Sequence, residues 1–306
     1  MAMSIDSGPH GWLVIDKPLG MSSHRAVQIV RRRTAAKAGH AGTLDPLATG
    51  VLPVALGEAT KTIRYAMNAH KSYRFRIRWG IARATDDGEG EIVGESAARP
   101  SAAAVEAMLP RFTGPIGQSP PAHSAIKIGG RRAYALARAA KPAVLPERPV
   151  EVASLRLVAI PDPDHADLIA EVGKGTYIRA LARDLAAALG TLGHVAALRR
   201  VAVGCFSEAQ AISLDTLSER RDGDNAWDHL LPIETALDDL PALMLTESEA
   251  VRLRSGQCVM PVAAAARERL GRLDRGTVVS AWQDHSLIAV AKFGTGGLQP
   301  LRVINL

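Results

Sequence analysis

The chain has 306 residues, 47% of them hydrophobic, enough for one large domain and a small second one. Its 37 Lys+Arg against 31 Asp+Glu give a net charge of +6 and a pI of about 9.6, which points to a polyanion partner, nucleic acid before membrane, with ordinary surface charge as the plain alternative. Cys205 and Cys258 lie far apart without CxxC spacing, which argues against a disulfide framework or a cysteine zinc site and for the reducing cytosol; no signal-peptide pattern opens the chain, and no apolar run is long enough to span a bilayer.

In chain order, GWLVID (11–16) reads as a buried strand and KPLGMSS as a turn, with Ser22 or Ser23 placed to cap the next helix. That helix, about 24–33, ends in Arg31, Arg32 and Arg33, favourable at a helix C-terminus, useful against phosphate, and equally at home in solvent. Next comes GHAGTLDPLATGVLPVALGEATK (39–61), a polar loop that closes as a run of Val, Leu and Ala. Asp45 sits in its middle. Gly39, Gly42 and Gly50 allow bends other residues resist, and Pro46 biases Asp45 towards extended backbone. The segment therefore presents one carboxylate on a stiff loop before an apolar run, although an Asp-Pro taken alone is more often an Asx-type turn.

Residues 57–67 read as a helix. KSYRFRIRWG (71–80) alternates cleanly, with Tyr73, Phe75, Ile77 and Trp79 on one face and Ser72, Arg74, Arg76 and Arg78 on the other: a half-buried strand whose arginines default to solvent. ATDDGEG (84–90) is a turn, and 101–112 a helix capped by Ser101. From 118 to 149, Pro, Gly and Ala punctuate a basic stretch carrying Lys127, Arg131, Arg132, Arg138, Lys141 and Arg148. A nucleic-acid-contacting insert is favoured over a solvated loop, because this bias coincides with the net charge. Residues 150–160 and 166–172 read as a strand pair. GKGTYIRALARDLAAALG (173–190) is a glycine turn into a helix, with Thr176 as N-cap and Gly190 as stop. Tyr177 and Arg179 fall in its first turn, where a half-buried tyrosine or a capping arginine would need no ligand. LRRVAVGCF (198–206) is an apolar strand with a basic start. Residues 212–240 read as helical and acidic, and from about 243 alternating segments suggest a small β domain.

Several chemistries lack their signature: GxxxxGK[ST] for a P-loop, GxGxxG for a dinucleotide fold, HExxH or HxxxH for a zinc hydrolase, GxSxG for a nucleophile elbow. A presented aspartate, two tyrosines, one arginine and basic surface remain.

These residues carry a family resemblance. The 39–61 segment closely resembles the aspartate motif of the bacterial tRNA pseudouridine synthases that modify uridine 55 in the T arm. GWLVIDKPLGMSSH resembles the family's opening motif, KSYRFRIRWG with TDDGEG its tyrosine strand and turn, PPAHSAIKIGGRRAYALAR its RNA-gripping insert, and GKGTYIRALARDL with LRRVAVGCF its later pocket motifs. Together they cover most of 11–206. The resemblance implies Asp45 as the catalytic aspartate and Tyr73 as the ring that packs on the target base. Tyr177 would be the pocket tyrosine, Arg179 the cation paired with Asp45, Leu198 part of the pocket floor, and His40 the histidine that holds the everted RNA loop. Lys17, Lys61 and Asp87 match family positions with supporting roles, the lysines towards RNA. Lys127, Arg131, Arg132, Arg138 and Lys141 would grip RNA from the insert. His123 departs from the family, which more often has Tyr or Phe there. The implied fold is α+β: a mixed, largely antiparallel sheet with surrounding helices over 1–240, the insert at about 118–149, and a small C-terminal β-barrel-like (PUA-like) RNA-binding domain over 241–306. The implied activity is site-specific isomerisation of uridine in tRNA, by a cytoplasmic monomer that needs no metal, redox cofactor or protein partner. A tRNA-folding chaperone is the alternative, and a subunit dependent on guide RNA and partner proteins a third reading.

Overall fold

Alternating and continuous apolar runs assemble one large sheet before the C-terminal quarter begins. The structure, a computed structural model, describes residues 8–124, 127–128, 131–132, 145–217 and 227–306. Strand β1 (Gly11–Lys17) leads to helix α1 (Ser23–Thr34), where the Ser22 hydroxyl caps by accepting from the Arg25 N–H. Strands β2 (Ala38–His40) and β3 (Ala48–Leu56) bracket the aspartate loop. The helix expected at 57–67 breaks at Thr62 into a 3-10 turn (Gly57–Lys61) and α2 (Ile63–Asn68), because Thr62 turns both its N–H and its hydroxyl onto Ala59 O. Strand β4 (Lys71–Trp79) follows. β5 (Ile81–Arg83) and β6 (Ile92–Glu95) form a hairpin around the acidic turn, and Ser101 caps α3 (Ala102–Met108). β7 (Gly114–Gln118) precedes the short pair β8 (Lys127–Ile128) and β9 (Arg131–Arg132) within the basic stretch. β10 (Arg148–Asp162) and β11 (His165–Val172) are the expected strand pair. Helix α4 (Ile178–Ala188) has Tyr177 at its N-cap rather than Thr176, whose hydroxyl is drawn away to Glu151 O at 3.2 Å. β12 (Gly193–Val203) begins ahead of the apolar run at 198, and β13 (Phe206–Ser207) folds back onto it.

The main sheet runs β1-β3-β12-β4-β11-β10-β7, with β2 on β3 and β13 on β12. Every pairing is antiparallel except β3 with β12, so the sheet is mixed and largely antiparallel, as expected. The alternation of β4 is realised: Tyr73, Phe75, Ile77 and Trp79 join a core shared with Ile178, Leu181 and Leu185 of α4. Its other face does not simply meet solvent. Arg76 makes a two-point pair with Asp167 on β11 at 2.6 and 2.8 Å, and Arg78 meets Asp164, in the turn before β11, at 2.7 Å, so carboxylates of β11 and its turn neutralise most of the arginine face.

Among its described residues, the acidic stretch 212–240 holds no α-helix, although its composition suggested one. It has a 3-10 turn at Ile233–Leu237 and bridges to the free edge of β1 at Ile212 and Leu231. Trp12 and Leu231 exchange two backbone hydrogen bonds at 2.8 Å, while Asp16 N–H reaches Ile212 O and Ile212 N–H reaches Val14 O. An edge strand has backbone groups to satisfy, and this pairing outweighs helix propensity. Trp12 lies beneath it, fully buried, with Nε1 donating to Ile233 O and its ring 5.0 Å from Phe206. Trp12→Ala should cost about 3–5 kcal/mol in urea unfolding; an unchanged midpoint would contradict this placement of the core.

The C-terminal part has a second sheet: β14 (Ala242–Met244), β15 (Val278–Gln283), β16 (Ser286–Gly294) and β17 (Gly297–Val303), paired in that order. It also has two helices the sequence reading missed, α5 (Glu247–Arg254) and α6 (Ala264–Gly271). The start of α5 was legible in TESE, where Thr246 and Glu249 form a capping box. With β14 and β17 left as edges, the four strands do not close into the expected barrel-like form. Among the described residues, no helix is long and apolar enough to cross a membrane.

Candidate active site

The loop that presents Asp45 is pinned from behind by groups other than its own carboxylate. Ser23 at the start of α1 accepts from Leu44 N–H at 2.7 Å and donates to Leu44 O at 2.9 Å. Gly20 N–H reaches Pro46 O at 2.8 Å, and Ala48 N–H closes a turn on Asp45 O at 3.0 Å. Two glycines are required. Gly42 and Gly50 have φ of 103° and 97°, and a Cβ at Gly50 would stand 2.2 Å from Arg200 O. With the backbone fixed this way, the Asp45 side chain is free to point outward. It does not form the Asx turn. It meets Arg179 Nη2 at 2.9 Å.

Arg179 is the hub of the site. It stands one position past the first residue of α4, its side chain 6% exposed against 40% for Asp45. Its Nη1 also pairs with Asp87 at 3.3 Å and donates to Thr85 O at 2.8 Å, and its Nη2 donates to His123 O at 3.1 Å. Asp87 is itself buried, accepting from the Thr85 hydroxyl and from Glu89 N–H. A buried guanidinium held by a buried carboxylate thus offers its remaining edge to a half-open one, which keeps Asp45 beside a cation without hiding it.

Around this pair lies a cleft of about 380 Å³. Tyr73, Tyr177, Ile178 and Leu198 line it, with Thr43, Leu44 and Ala48 from the aspartate loop. Cross-strand register explains the convergence: on neighbouring strands, Ala48 of β3 stands opposite Leu198 of β12, and Arg200 of β12 opposite Tyr73 of β4. The structure therefore brings Asp45, Tyr73, Tyr177, Arg179 and Leu198 together. Tyr177 is anchored through its backbone by buried Gln118, whose amide accepts from Tyr177 N–H at 2.8 Å and donates to Tyr177 O at 3.2 Å, and Arg148 lies over its ring at 5.4 Å. Sequence reasoning missed Gln118, Lys71 and Arg200 as cleft-building residues. Arg200 shares a strand face with Leu198 by the two-residue period, a signal that could have found it.

Other expected site residues stand elsewhere. Lys17, read as RNA-facing, is fully buried. Its ammonium donates to Pro18 O, Met21 O and Pro46 O, bracing the aspartate loop, and burial lowers it to about 8 against the opposing pull of Asp45. Lys61, read the same way, pairs with Glu58 and donates to Val303 O at 2.8 Å, while Glu58 also accepts from Asn305 N–H. It fastens the C-terminal tail to the main sheet. In both cases the chain's own oxygens hold the ammonium in this structure. His40 on β2 is not among the lining residues; its buried Nδ1 has no hydrogen-bond partner among the described residues, and burial, then the charge of Arg200, hold its imidazole below the usual histidine range. Of the insert residues, Arg138 and Lys141 lie outside the described residues, as do the side chains of Lys127, Arg131 and Arg132.

The site is a presented carboxylate, a buried cation, an aromatic wall and an apolar floor within basic surroundings, suited to a flat uncharged ring on an anionic backbone. Comparison with known proteins agrees with that chemistry. The family model described as TruB family pseudouridylate synthase (N terminal domain) matches residues 30–178, and that of the tRNA pseudouridylate synthase B C-terminal domain matches 179–238. The chain is 50% identical over 298 residues to the tRNA pseudouridine synthase B of Rhodospirillum rubrum, covering 97% of each protein. It is equally similar to that of Caulobacter vibrioides, over 97% of this chain and 96% of that one. Among solved structures, the archaeal box H/ACA sRNP Nop10-Cbf5 complex aligns with a TM-score of 0.73 at 23% identity, over 98% of this chain and 89% of that one, a likeness that speaks for the fold. The chain belongs to the TruB family of pseudouridylate synthases.

Proposed function

We propose that this protein converts uridine 55 in the T arm of tRNA to pseudouridine, as a cytoplasmic monomer, with Asp45 supplying the catalytic carboxylate. Family membership supports the reaction and the tRNA substrate; the observation that carries the assignment of residues is the Asp45–Arg179 pair at 2.9 Å, open to a cleft walled by Tyr73 and Leu198. The target base must leave its stack to reach that cleft, at a cost of a few kcal/mol. Stacking on a ring offsets about 1–3 kcal/mol of it, and Tyr73 is the ring in position. Isomerisation breaks the N1–C1′ bond, turns the uracil and rejoins it through C5. The C5 proton is released, and N1 ends protonated. Residues 1–240 would carry this chemistry, with the 118–149 stretch gripping RNA and 241–306 serving as a PUA-like RNA-binding domain.

The test is tritium release from C5-labelled uridine in unmodified tRNA transcript, with the product position mapped. Release at the T-loop uridine supports the proposal. Tight binding without release would favour a tRNA-folding chaperone or a partner-dependent subunit. The Tyr73 hydroxyl makes no hydrogen bond to the protein among the described residues, which leaves it available to the base. If it assists removal of the C5 proton, Tyr73→Phe should bind tRNA within about 3-fold of wild type yet lose on the order of 10²-fold in product formation. Unchanged turnover would restrict Tyr73 to stacking.

A further inference from the structure

The cleft holds more positive charge than its one carboxylate balances. Lys71, Arg148, Lys174, Arg179 and Arg200 line it, against Asp45. Arg179 is accounted for by Asp45 and Asp87, and Arg148 is only half-buried, so water can solvate its charge. Lys71 and Arg200 are not. They are 9% and 1% exposed, and neither meets a carboxylate among the described residues. Burying a charge without a counter-ion is costly, so two such cations on one cleft wall call for an anion.

Their donors are only partly used. Arg200 gives Nε to Val51 O at 2.8 Å and Nη2 to Gly42 O at 3.0 Å, and among the described residues its Nη1 has no acceptor. Lys71 gives two protons to Met67 O and Ala69 O, the carbonyls that end α2, at 2.9 and 2.6 Å. That is ordinary work for a lysine at a helix C-terminus, and it leaves the third proton free. The two side chains flank Gly42, where a Cβ would lie 3.4 Å from Arg200 Nη1 and 3.8 Å from Lys71 Cε; the missing side chain opens a hollow between them. Lys174, exposed and bonded to Asn68 Oδ1, is close enough that its charge is felt at Lys71, whose ammonium burial, then Arg200, then Lys174 push down to about 8.

We infer that Lys71, Arg200 and Lys174 around Gly42 form a phosphate subsite for the RNA backbone next to the flipped nucleotide. The inference rests on the proposed function. A uracil carries no charge to meet these cations, whereas a phosphodiester brings one negative charge and oxygens for both the guanidinium edge and the ammonium. Lys71 is two residues from Tyr73 on the same strand face, about 7 Å along β4, so the phosphate belongs to the flipped nucleotide or its immediate neighbour.

The test uses the full chain and T-arm stem-loop RNAs, each carrying one neutral methylphosphonate linkage around the target uridine. One linkage adjacent to that uridine should weaken wild-type binding about 10-fold, the scale of a lost hydrogen bond to a charged group. The same linkage should weaken binding to Lys71→Met less than 2-fold, since the partner charge is already gone. Lys174→Ala removes an exposed side chain and leaves the core untouched; it should lessen the same penalty and lower the salt slope of binding by about 0.7. Equal penalties in wild type and both variants, or no penalty at any linkage, would overturn the subsite. Those outcomes leave pseudouridine formation by wild type on unmodified RNA intact, whereas failure of the functional proposal removes it.

Discussion

Asp45→Asn is expected to abolish pseudouridine formation, on the order of 10⁴-fold or more, while tRNA binding stays within a few-fold of wild type. The two effects separate because the loop does not depend on the carboxylate for its shape. Ser23 holds Leu44, Gly20 and Lys17 hold Pro46, and Ala48 closes the turn on Asp45 O. An amide of the same size leaves those contacts in place. Its oxygen can still accept from Arg179 Nη2, but it brings no negative charge and no basic or nucleophilic oxygen. Arg179 retains Asp87 as counter-ion, so the substitution strands no buried charge. Side-by-side tritium release and filter binding on the same transcript would show the split. Near-wild-type release by the asparagine variant would remove Asp45 from the chemistry, and parallel loss of binding and release would make its role structural.

What was legible in the sequence follows the range of the forces involved. The alternation of 71–79 could be read because a half-buried strand repeats every two residues whatever its neighbours are, and the caps Ser22 and Ser101 because they act on N–H groups three residues away. Thr176 failed as a cap because its competitor, Glu151 O, lies 25 residues upstream. The 212–240 stretch failed for the same reason at longer range: its backbone partners are on β1. Within the site, the motif residues Asp45, Tyr73, Tyr177, Arg179 and Leu198 were nominated from sequence and do share one cleft. Lys17 and Lys61 were read as RNA-facing because a lysine gives no local sign that three carbonyls, or a carboxylate and a carbonyl, will hold its ammonium. Arg200 was passed over because it looks like a stray charge in an apolar strand until β3, β12 and β4 are seen side by side.

Arg179→Ala should lose most turnover, on the order of 10²–10³-fold, and should also lower stability. The two losses have different origins. Removing the guanidinium leaves Asp87, with a side chain 3% exposed, as an unpaired buried carboxylate. Breaking a buried pair in that way costs about 3–5 kcal/mol, and the Thr85 and His123 carbonyls lose a donor as well. Turnover falls because Asp45 loses the cation that pairs with it and fixes its direction. Arg179→Lys keeps a positive charge but not the planar fork that reaches both carboxylates at once, so it should retain a measurable fraction of activity. The alanine variant alone does not separate the two effects, but a second substitution does. In Arg179→Ala/Asp87→Asn the buried carboxylate becomes a neutral amide, so part of the lost stability should return in thermal melts while turnover stays low. Turnover recovering together with stability would reduce Arg179 to a structural anchor, and wild-type rates in the single alanine variant would end the pairing with Asp45 as a catalytic feature.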